Sequence, residues 1–171
     1  IEKLKLKVEE KNMKSWESVV NVLKNSPKTT NIAVVGKYIE LNDAYKSIYE
    51  ALVHGSASVK SGINIIKVDS EKLLEQNLDE IFKDIHGILI PGGFGERGIE
   101  GKISAVNYAR VNKVPIFGIC LGMQCMVCEF ARSKCGLDKA NSTEFDPDTI
   151  NPVISLLAEQ REVENMGGTM R

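Results

Sequence analysis

The stretch FGICLGMQ (residues 117–124) decides the fold, because an apolar run ends within it and a helical pattern begins. Glycine stands two residues before and two residues after Cys120. The form G-x-nucleophile-x-G between a strand and a helix is typical of a strained turn at which larger side chains would collide. The sequence therefore predicts a nucleophile elbow at Cys120. The alternative from the local pattern alone is a buried structural cysteine beside a glycine-flanked turn.

Four short apolar runs alternate with helical patterns around this turn. The runs, which we predict to be strands, are residues 31–36, 63–69, 86–91 and 114–120. The predicted helices that follow them cover about residues 43–54, 71–84, 99–112 and 121–135. Strands that are β-branched and apolar on both faces are typical of buried parallel sheets. We therefore predict an α/β fold, doubly wound, with a mostly parallel sheet, helices on both faces and right-handed crossovers.

The two ends of the chain depart from this alternation. Residues 1–30 form a separate piece with one helical pattern, which is followed by the break SPKTT. The apolar face of that helix is formed by Trp16, Val19, Val20 and Leu23. After Gly136 the pattern becomes loop-like, and VISLL (153–157) favours one further strand.

Composition limits the classes of function. The chain has 171 residues, of which 43% are hydrophobic and 26% charged, and this balance is globular rather than disordered. A net charge of −1 gives no indication of a nucleic-acid or anionic-membrane partner. No apolar run reaches the roughly 20 residues that span a bilayer. The charged N-terminus does not resemble a signal peptide, and the four clustered cysteines indicate reduced thiols, so we expect a cytoplasmic protein.

A glycine-rich loop, PGGFGERG (91–98), follows the third predicted strand. It matches G-x-G-x-x-G formally, but no acidic residue follows about 20 positions later, as a dinucleotide site requires. Ligands of open α/β sheets bind beyond the carboxyl ends of the strands, where this loop and Cys120 would both lie. We therefore expect the backbone N–H groups of Gly93 and Leu121 to face the thiol as oxyanion donors.

The other cysteines and the histidines do not complete a site. Cys120, Cys125 and Cys128 have the spacing of an iron–sulfur motif, but the last two lie in a strong helical pattern and read as core residues. A cysteine nucleophile usually needs a basic partner. His86 begins a strand at the end away from the predicted site, and His54 ends a helix that runs back toward that same end. We expect neither histidine to act as the base.

Together these strings resemble the class I, or triad-type, glutamine amidotransferases, which have a flavodoxin-like sheet. Five stretches resemble the branch of that family in which the domain is joined to a UTP-aminating synthetase domain. They are VGKYIELNDAYKSIYEAL (35–52), ILIPGGFGERGIEGKI (88–103), IFGICLGMQ (116–124), ANSTEFDPDT (140–149) and MGGTMR (166–171). The resemblance covers about residues 31–171.

The resemblance implies a role for each matching residue. Cys120 would attack the side-chain amide of L-glutamine and form a γ-glutamyl thioester, with Gly93 and Leu121 as the oxyanion hole. Glu144 would face the ammonium of glutamine, although the residues alone equally allow a turn cap or a solvated charge. The residues that would bind glutamine are Gly92, Gly93, Phe94, Leu121, Gly122, Met123, Gln124 and Glu144.

The resemblance also implies partners. Ammonia would pass to a synthetase domain of the same polypeptide, which aminates UTP to CTP with ATP and Mg²⁺, and GTP would activate glutamine hydrolysis. The full-length protein would be a homotetramer. Residues 1–30 would be the end of the synthetase domain and the linker, and residues 31–171 the amidotransferase domain. No cofactor or metal is expected within this segment.

The end of the sequence raises two alternatives. The chain stops at Arg171, before the region in which the family carries its catalytic His and Glu, so we expect a fragment with little turnover by itself. A non-catalytic glutamine-binding or scaffold module that lacks its base is the first alternative. A cysteine hydrolase of similar fold is the second.

Overall fold

The computed structural model describes residues 2–4, 12–41 and 43–157 of the chain. The strands are β1 (Thr29–Gly36), β2 (Gly62–Asp69), β3 (Gly87–Ile90), β4 (Ile116–Gly118), β5 (Asn141–Ser142) and β6 (Pro152–Ile154). The α-helices are α1 (Lys14–Asn25), α2 (Lys46–Ser58), α3 (Leu78–Ile81), α4 (Ile99–Asn112) and α5 (Leu121–Lys134). Two 3₁₀ turns cover Glu2–Leu4 and Leu73–Glu75. Among these described residues, no helix is long and apolar enough to cross a bilayer.

The main sheet has the strand order β2-β1-β3-β4. Strand β3 pairs in parallel with β1, where Ala33 lies opposite Ile88, and with β4, where Leu89 lies opposite Phe117. All four residues of β3 are buried, as its uninterrupted apolar sequence predicts. The prediction of an α/β fold with a mostly parallel sheet is confirmed. Strands β5 and β6 form a separate parallel pair, so the strand predicted at 153–157 exists but is centred slightly earlier.

The chain divides into two compact units. One contains residues 1–30 and 47–64, and the other contains residues 31–46 and 65–171. In the first unit, α1 forms at its predicted amphipathic pattern, yet none of its residues is buried and Trp16 remains 64% exposed. The second unit contains the apolar core, in which β1 and β3 pack with α4 and α5. Its members include Val35, Ile90, Val106, Leu121 and Cys125.

The prediction of one helix over 71–84 is wrong, because this segment forms a 3₁₀ turn and the single-turn helix α3 instead. The backbone is extended at Gln76, and the side chain of Asn77 accepts a hydrogen bond from the N–H of Asp79 at 3.1 Å. An asparagine that caps its own turn begins a new helix rather than continuing the previous one. The helix predicted over 43–54 also differs, since it begins at Lys46 and ends at Ser58.

Candidate active site

Cys120 occupies the strained turn that the sequence predicts. Its φ of +51° and ψ of −108° lie in a region that residues with a side chain rarely adopt. Strand β4 ends at Gly118, and helix α5 begins at Leu121. The N–H of Gln124 donates to the carbonyl of Cys120 at 3.1 Å, so the cysteine stands at the N-terminus of α5. The free N–H groups and the dipole of a helix favour negative charge at this position.

The two glycines of the elbow allow close backbone contact. A Cβ atom at Gly118 would lie 2.5 Å from the carbonyl carbon of Gly122. A Cβ atom at Gly122 would lie 2.2 Å from the carbonyl oxygen of Ile90 in β3. Both distances are far below van der Waals contact, so a larger residue at either position would displace the turn.

The cysteines differ in exposure. Cys120 and Cys135 are exposed, whereas Cys125 and Cys128 are buried in the core, as their helical pattern predicts. Burial raises the pKa of Cys125 to about 12, although the positive charge of Lys102 acts in the opposite direction. Burial likewise raises the pKa of Cys128. A thiol is nucleophilic as its thiolate, so the two buried cysteines are poor nucleophiles at neutral pH.

The glycine-rich loop lies beside the thiol. A Cβ atom at Gly92 would be 3.4 Å from the Cβ of Cys120, whereas the space around Gly93 is open to 4 Å. Gly95 and Gly98 have φ values of +75° and +72°, which glycine adopts without strain. The ammonium of Lys37, directly after β1, donates to the carbonyl of Phe94. The loop is therefore attached to β1 and leaves room beside Gly93.

Gln124 and Glu144 meet, although 20 residues separate them. The side-chain Nε2 of Gln124 donates to Oε2 of Glu144 at 2.8 Å. The other amide atom, Oε1 of Gln124, is buried without a hydrogen-bond partner. Glu144 follows β5 in a turn where its own N–H donates to the Oγ of Ser142 at 3.2 Å. The exposed carboxylate of Glu144, held by the Gln124 amide, is therefore available to a positively charged ligand group.

Within the second unit, His86 lies away from this arrangement. His86 precedes β3, whereas Gly92 follows it, so one strand length separates this histidine from the loop beside the thiol. The Nδ1 atom of His86 accepts a hydrogen bond from the N–H of Asn31 at 3.0 Å. His54 lies in α2 and belongs to the other compact unit. Over the part of the chain that the structure describes, no group of three or more His, Cys, Asp or Glu residues could hold a metal ion.

Sequence reasoning missed two charged networks between α4 and α5. Glu129 is 2% exposed, and its carboxylate accepts hydrogen bonds from Arg110, Asn107 and Ser133. Arg132 contacts both Glu100 and the carbonyl of Ala140. The only signal in the sequence is an i, i+3 Glu–Arg pair on α5, a spacing that by itself indicates nothing more than a solvated helix surface.

Comparison with known proteins identifies the family to which the chain is similar. The sequence model described as "Glutamine amidotransferase class-I" matches residues 40–171. The chain is 54% identical over 170 residues to "CTP synthase" from Aquifex aeolicus (strain VF5), a match that covers 99% of this chain and 32% of that protein. It is 55% identical over 171 residues to "CTP synthase" from Hydrogenobaculum sp. (strain Y04AAS1), which covers all of this chain and 31% of that protein.

A solved structure shows the same similarity. It is described as "Trypanosoma brucei CTPS - glutaminase domain with bound acivicin" and superposes with a TM-score of 0.71 at 39% sequence identity. The superposition covers 77% of this chain and 52% of that one. The chain thus spans about a third of the length of the curated relatives that it matches.

Proposed function

The chain belongs to the class I glutamine amidotransferase family, and we propose that it uses Cys120 to release ammonia from L-glutamine. The observation that carries this proposal is the exposed thiol on a strained elbow at the start of α5. Such a turn presents a nucleophile beside backbone donors, which is the arrangement that acyl transfer requires.

In the proposed reaction, the thiolate of Cys120 attacks the side-chain amide carbon of glutamine and forms a carbon–sulfur bond. The carbonyl oxygen becomes an oxyanion, to which the N–H groups of Leu121 and Gly93 donate hydrogen bonds. As the carbonyl re-forms, the carbon–nitrogen bond breaks, and the nitrogen takes from solvent water the proton that the thiol released, so that it leaves as ammonia. Water then hydrolyses the γ-glutamyl thioester, which gives glutamate and regenerates the thiol.

We assign the amino-acid end of glutamine to the pair formed by Gln124 and Glu144. The exposed carboxylate of Glu144, which the side-chain amide of Gln124 orients through a hydrogen bond of 2.8 Å, would attract the ammonium. The remaining residues of the proposed pocket are Gly92, Gly93, Phe94, Leu121, Gly122 and Met123. The space around Gly93 supports this assignment, because the substrate amide must approach the loop closely.

For the full-length protein we propose the activity that the names of its relatives carry, the amination of UTP to CTP. Ammonia would pass to a synthetase domain, where ATP and Mg²⁺ act, and GTP would activate glutamine hydrolysis. We further propose that residues 1–30 belong to the end of the synthetase domain and the interdomain linker, and residues 31–171 to the amidotransferase domain. A cytoplasmic homotetramer would be the working form.

Covalent labelling tests the proposed site. An electrophilic glutamine analogue is expected to modify Cys120, and excess L-glutamine is expected to slow that modification. Peptide mass spectrometry locates the label, and Cys120→Ser serves as the control that should lose it. Labelling at Cys125 or Cys128, or labelling that glutamine does not slow, would contradict the assignment. Faster reaction with generic peptidase inhibitors than with the glutamine analogue would favour a hydrolase of similar fold.

A further inference from the structure

Arg132 connects three parts of the second unit. The residue lies on α5 and its side chain is 23% exposed. Its Nε donates to the carbonyl of Ala140 at 2.8 Å. Its Nη1 donates to both carboxylate oxygens of Glu100, at 2.8 and 3.1 Å. A planar guanidinium can hold these two acceptors at once in a fixed relative geometry.

Each connected part leads to one component of the proposed glutamine site. Helix α5 begins directly after Cys120. Glu100 lies in the first turn of α4, which follows the glycine loop and therefore Gly93. Ala140, which is fully buried, precedes β5 and the turn that carries Glu144.

The turn between Ala140 and Glu144 is held internally. The N–H of Glu144 bonds to the Oγ of Ser142, and the N–H of Phe145 bonds to the carbonyl of Ser142 at 3.0 Å. Because this turn is internally fixed, the hydrogen bonds that join its segment to α5, from Gln124 to the Glu144 carboxylate and from Arg132 to Ala140, fix where that carboxylate stands relative to the thiol. The Arg132–Ala140 hydrogen bond is one of these two anchors.

Arg110 also joins α4 to α5, but unlike Arg132 it makes no described contact with the segment that leads to Glu144. Arg110 on α4 pairs with the buried Glu129 on α5, with nitrogen–oxygen distances of 2.8 to 3.1 Å. None of the contacts of Arg110 or Glu129 in the described structure reaches the segment 140–144. Arg110 therefore contributes to the packing of α4 on α5 without holding the Glu144 turn.

We propose that Arg132 is a positioning residue for glutamine, which sets the Glu144 carboxylate and the α4 loop at a fixed distance from Cys120. This inference rests on the proposed function. Arg132 does not touch the substrate, and it acts on binding of the amino-acid end rather than on the reactivity of the thiol. Loss of the Arg132 side chain should weaken the binding of glutamine-like reagents, and it should leave the rate at which a small alkylating reagent modifies Cys120 unchanged.

The experiment compares two labelling rates in Arg132→Met and in the matched control Arg110→Met. One rate is for an electrophilic glutamine analogue at low concentration, and the other is for iodoacetamide at Cys120. In Arg132→Met we expect the analogue to react about tenfold more slowly, since a displacement of an ångström is costly at a reacting site. The rate of labelling at saturating concentrations of the analogue and the rate of labelling by iodoacetamide are expected to change less than about twofold, because the elbow itself is intact.

The control separates positioning from general stability. Arg110→Met should lower the melting temperature but keep the ratio of the two labelling rates at the wild-type value. The inference would be overturned if the ratio of analogue labelling to iodoacetamide labelling fell equally in both variants, or if it were unchanged in Arg132→Met. If Arg132→Met does not fold, Arg132→Lys provides the test, with an expected loss of several-fold in the same ratio, since an ammonium lacks the planar fork.

The outcome for the wild-type chain distinguishes this inference from the proposed function. Protection of wild-type Cys120 by L-glutamine supports the function and makes the variant comparison meaningful. Absence of that protection would overturn the proposed function itself. Protection in the wild type together with an unchanged Arg132→Met would overturn only the role of Arg132.

Discussion

At Gly122, the backbone of the elbow packs against β3 so closely that no side chain fits. The carbonyl oxygen of Ile90 would stand 2.2 Å from a Cβ atom at this position. Neither partner can yield easily, since one belongs to the central strand and the other to the first turn of α5. The strained φ of Cys120 is therefore maintained by packing on both sides of the turn.

Gly122→Ala should therefore destabilise the fold and displace the thiol. We expect the free energy of unfolding to fall by about 2 to 3 kcal/mol, as for other overpacked core positions, and labelling of Cys120 by a glutamine analogue to slow by at least about tenfold. Urea unfolding and mass spectrometry measure the two effects.

Gly55→Ala is the matched control, because Gly55 lies within α2 and a Cβ atom there meets nothing within 4 Å. This variant should gain up to about 1 kcal/mol in helix stability. A Gly122→Ala protein with wild-type stability and labelling would show that the elbow tolerates a side chain.

Between α4 and α5, the buried carboxylate of Glu129 is the main polar contact. Burial raises the pKa of this group, but hydrogen bonds from Arg110, Ser133 and Asn107 outweigh it, so the net pKa lies below the ordinary value of 4.5. A carboxyl group whose pKa is lower in the folded state stabilises the fold above the unfolded pKa. That contribution is lost as the pH falls through the folded pKa.

Glu129→Gln is expected to lower the free energy of unfolding by about 2 kcal/mol at pH 7, because charge-assisted hydrogen bonds become neutral ones. The difference between variant and wild type should begin to shrink as the pH falls below 4.5 and should disappear below the lowered pKa of the folded group, where the wild-type carboxylate is also protonated. Urea unfolding at pH 7 and at successively lower pH measures both values.

Glu75 provides the control substitution, because it is an exposed glutamate in the 3₁₀ turn Leu73–Glu75 and lies outside both helices. Glu75→Gln should change the free energy of unfolding by less than about 0.5 kcal/mol at either pH. If the loss in free energy of unfolding caused by Glu129→Gln stayed constant as the pH fell through the acid range, the role of the ionised carboxylate would be contradicted.

For the second unit as a whole, the outer side of α5 presents an apolar groove of about 520 Å³. Its lining residues are Met123, Met126, Val127, Phe130, Ala131, Cys135, Leu137 and Val153. Phe130 is 54% exposed in this groove. An apolar surface of this kind is typical of a face that binds other apolar groups.

The 171-residue chain is therefore expected to bind a hydrophobic fluorescent dye and to self-associate at high concentration. Phe130→Glu should reduce dye fluorescence at least about twofold, because a charge enters the middle of the apolar surface. Val111→Glu is the control, since Val111 is exposed on α4 and does not line the groove. Equal effects of both substitutions on dye binding and sedimentation would contradict the prediction.

Local patterns sufficed for the elements whose own residues carry the signal, whatever they pack against. The apolar runs of β1 and β3, the periodicity of α1 and the glycine spacing around Cys120 all predicted structure correctly, because these signals act between residues close in sequence. The segment 71–84 was not predicted correctly, since Asn77 can end one turn and begin another, and propensity alone does not decide between these outcomes.

By itself the sequence determined the parallel α/β architecture, the sharp turn at Cys120 and the family to which the chain belongs. Only the tertiary structure decided that Gln124 meets Glu144, that Glu129 is buried, and that Arg132 joins Glu100 to Ala140. The physical reason is the range of the interactions. The elbow follows from collisions within a few residues, whereas these contacts join residues 8 to 32 positions apart and exist only once α4, α5 and the β5 turn are packed together.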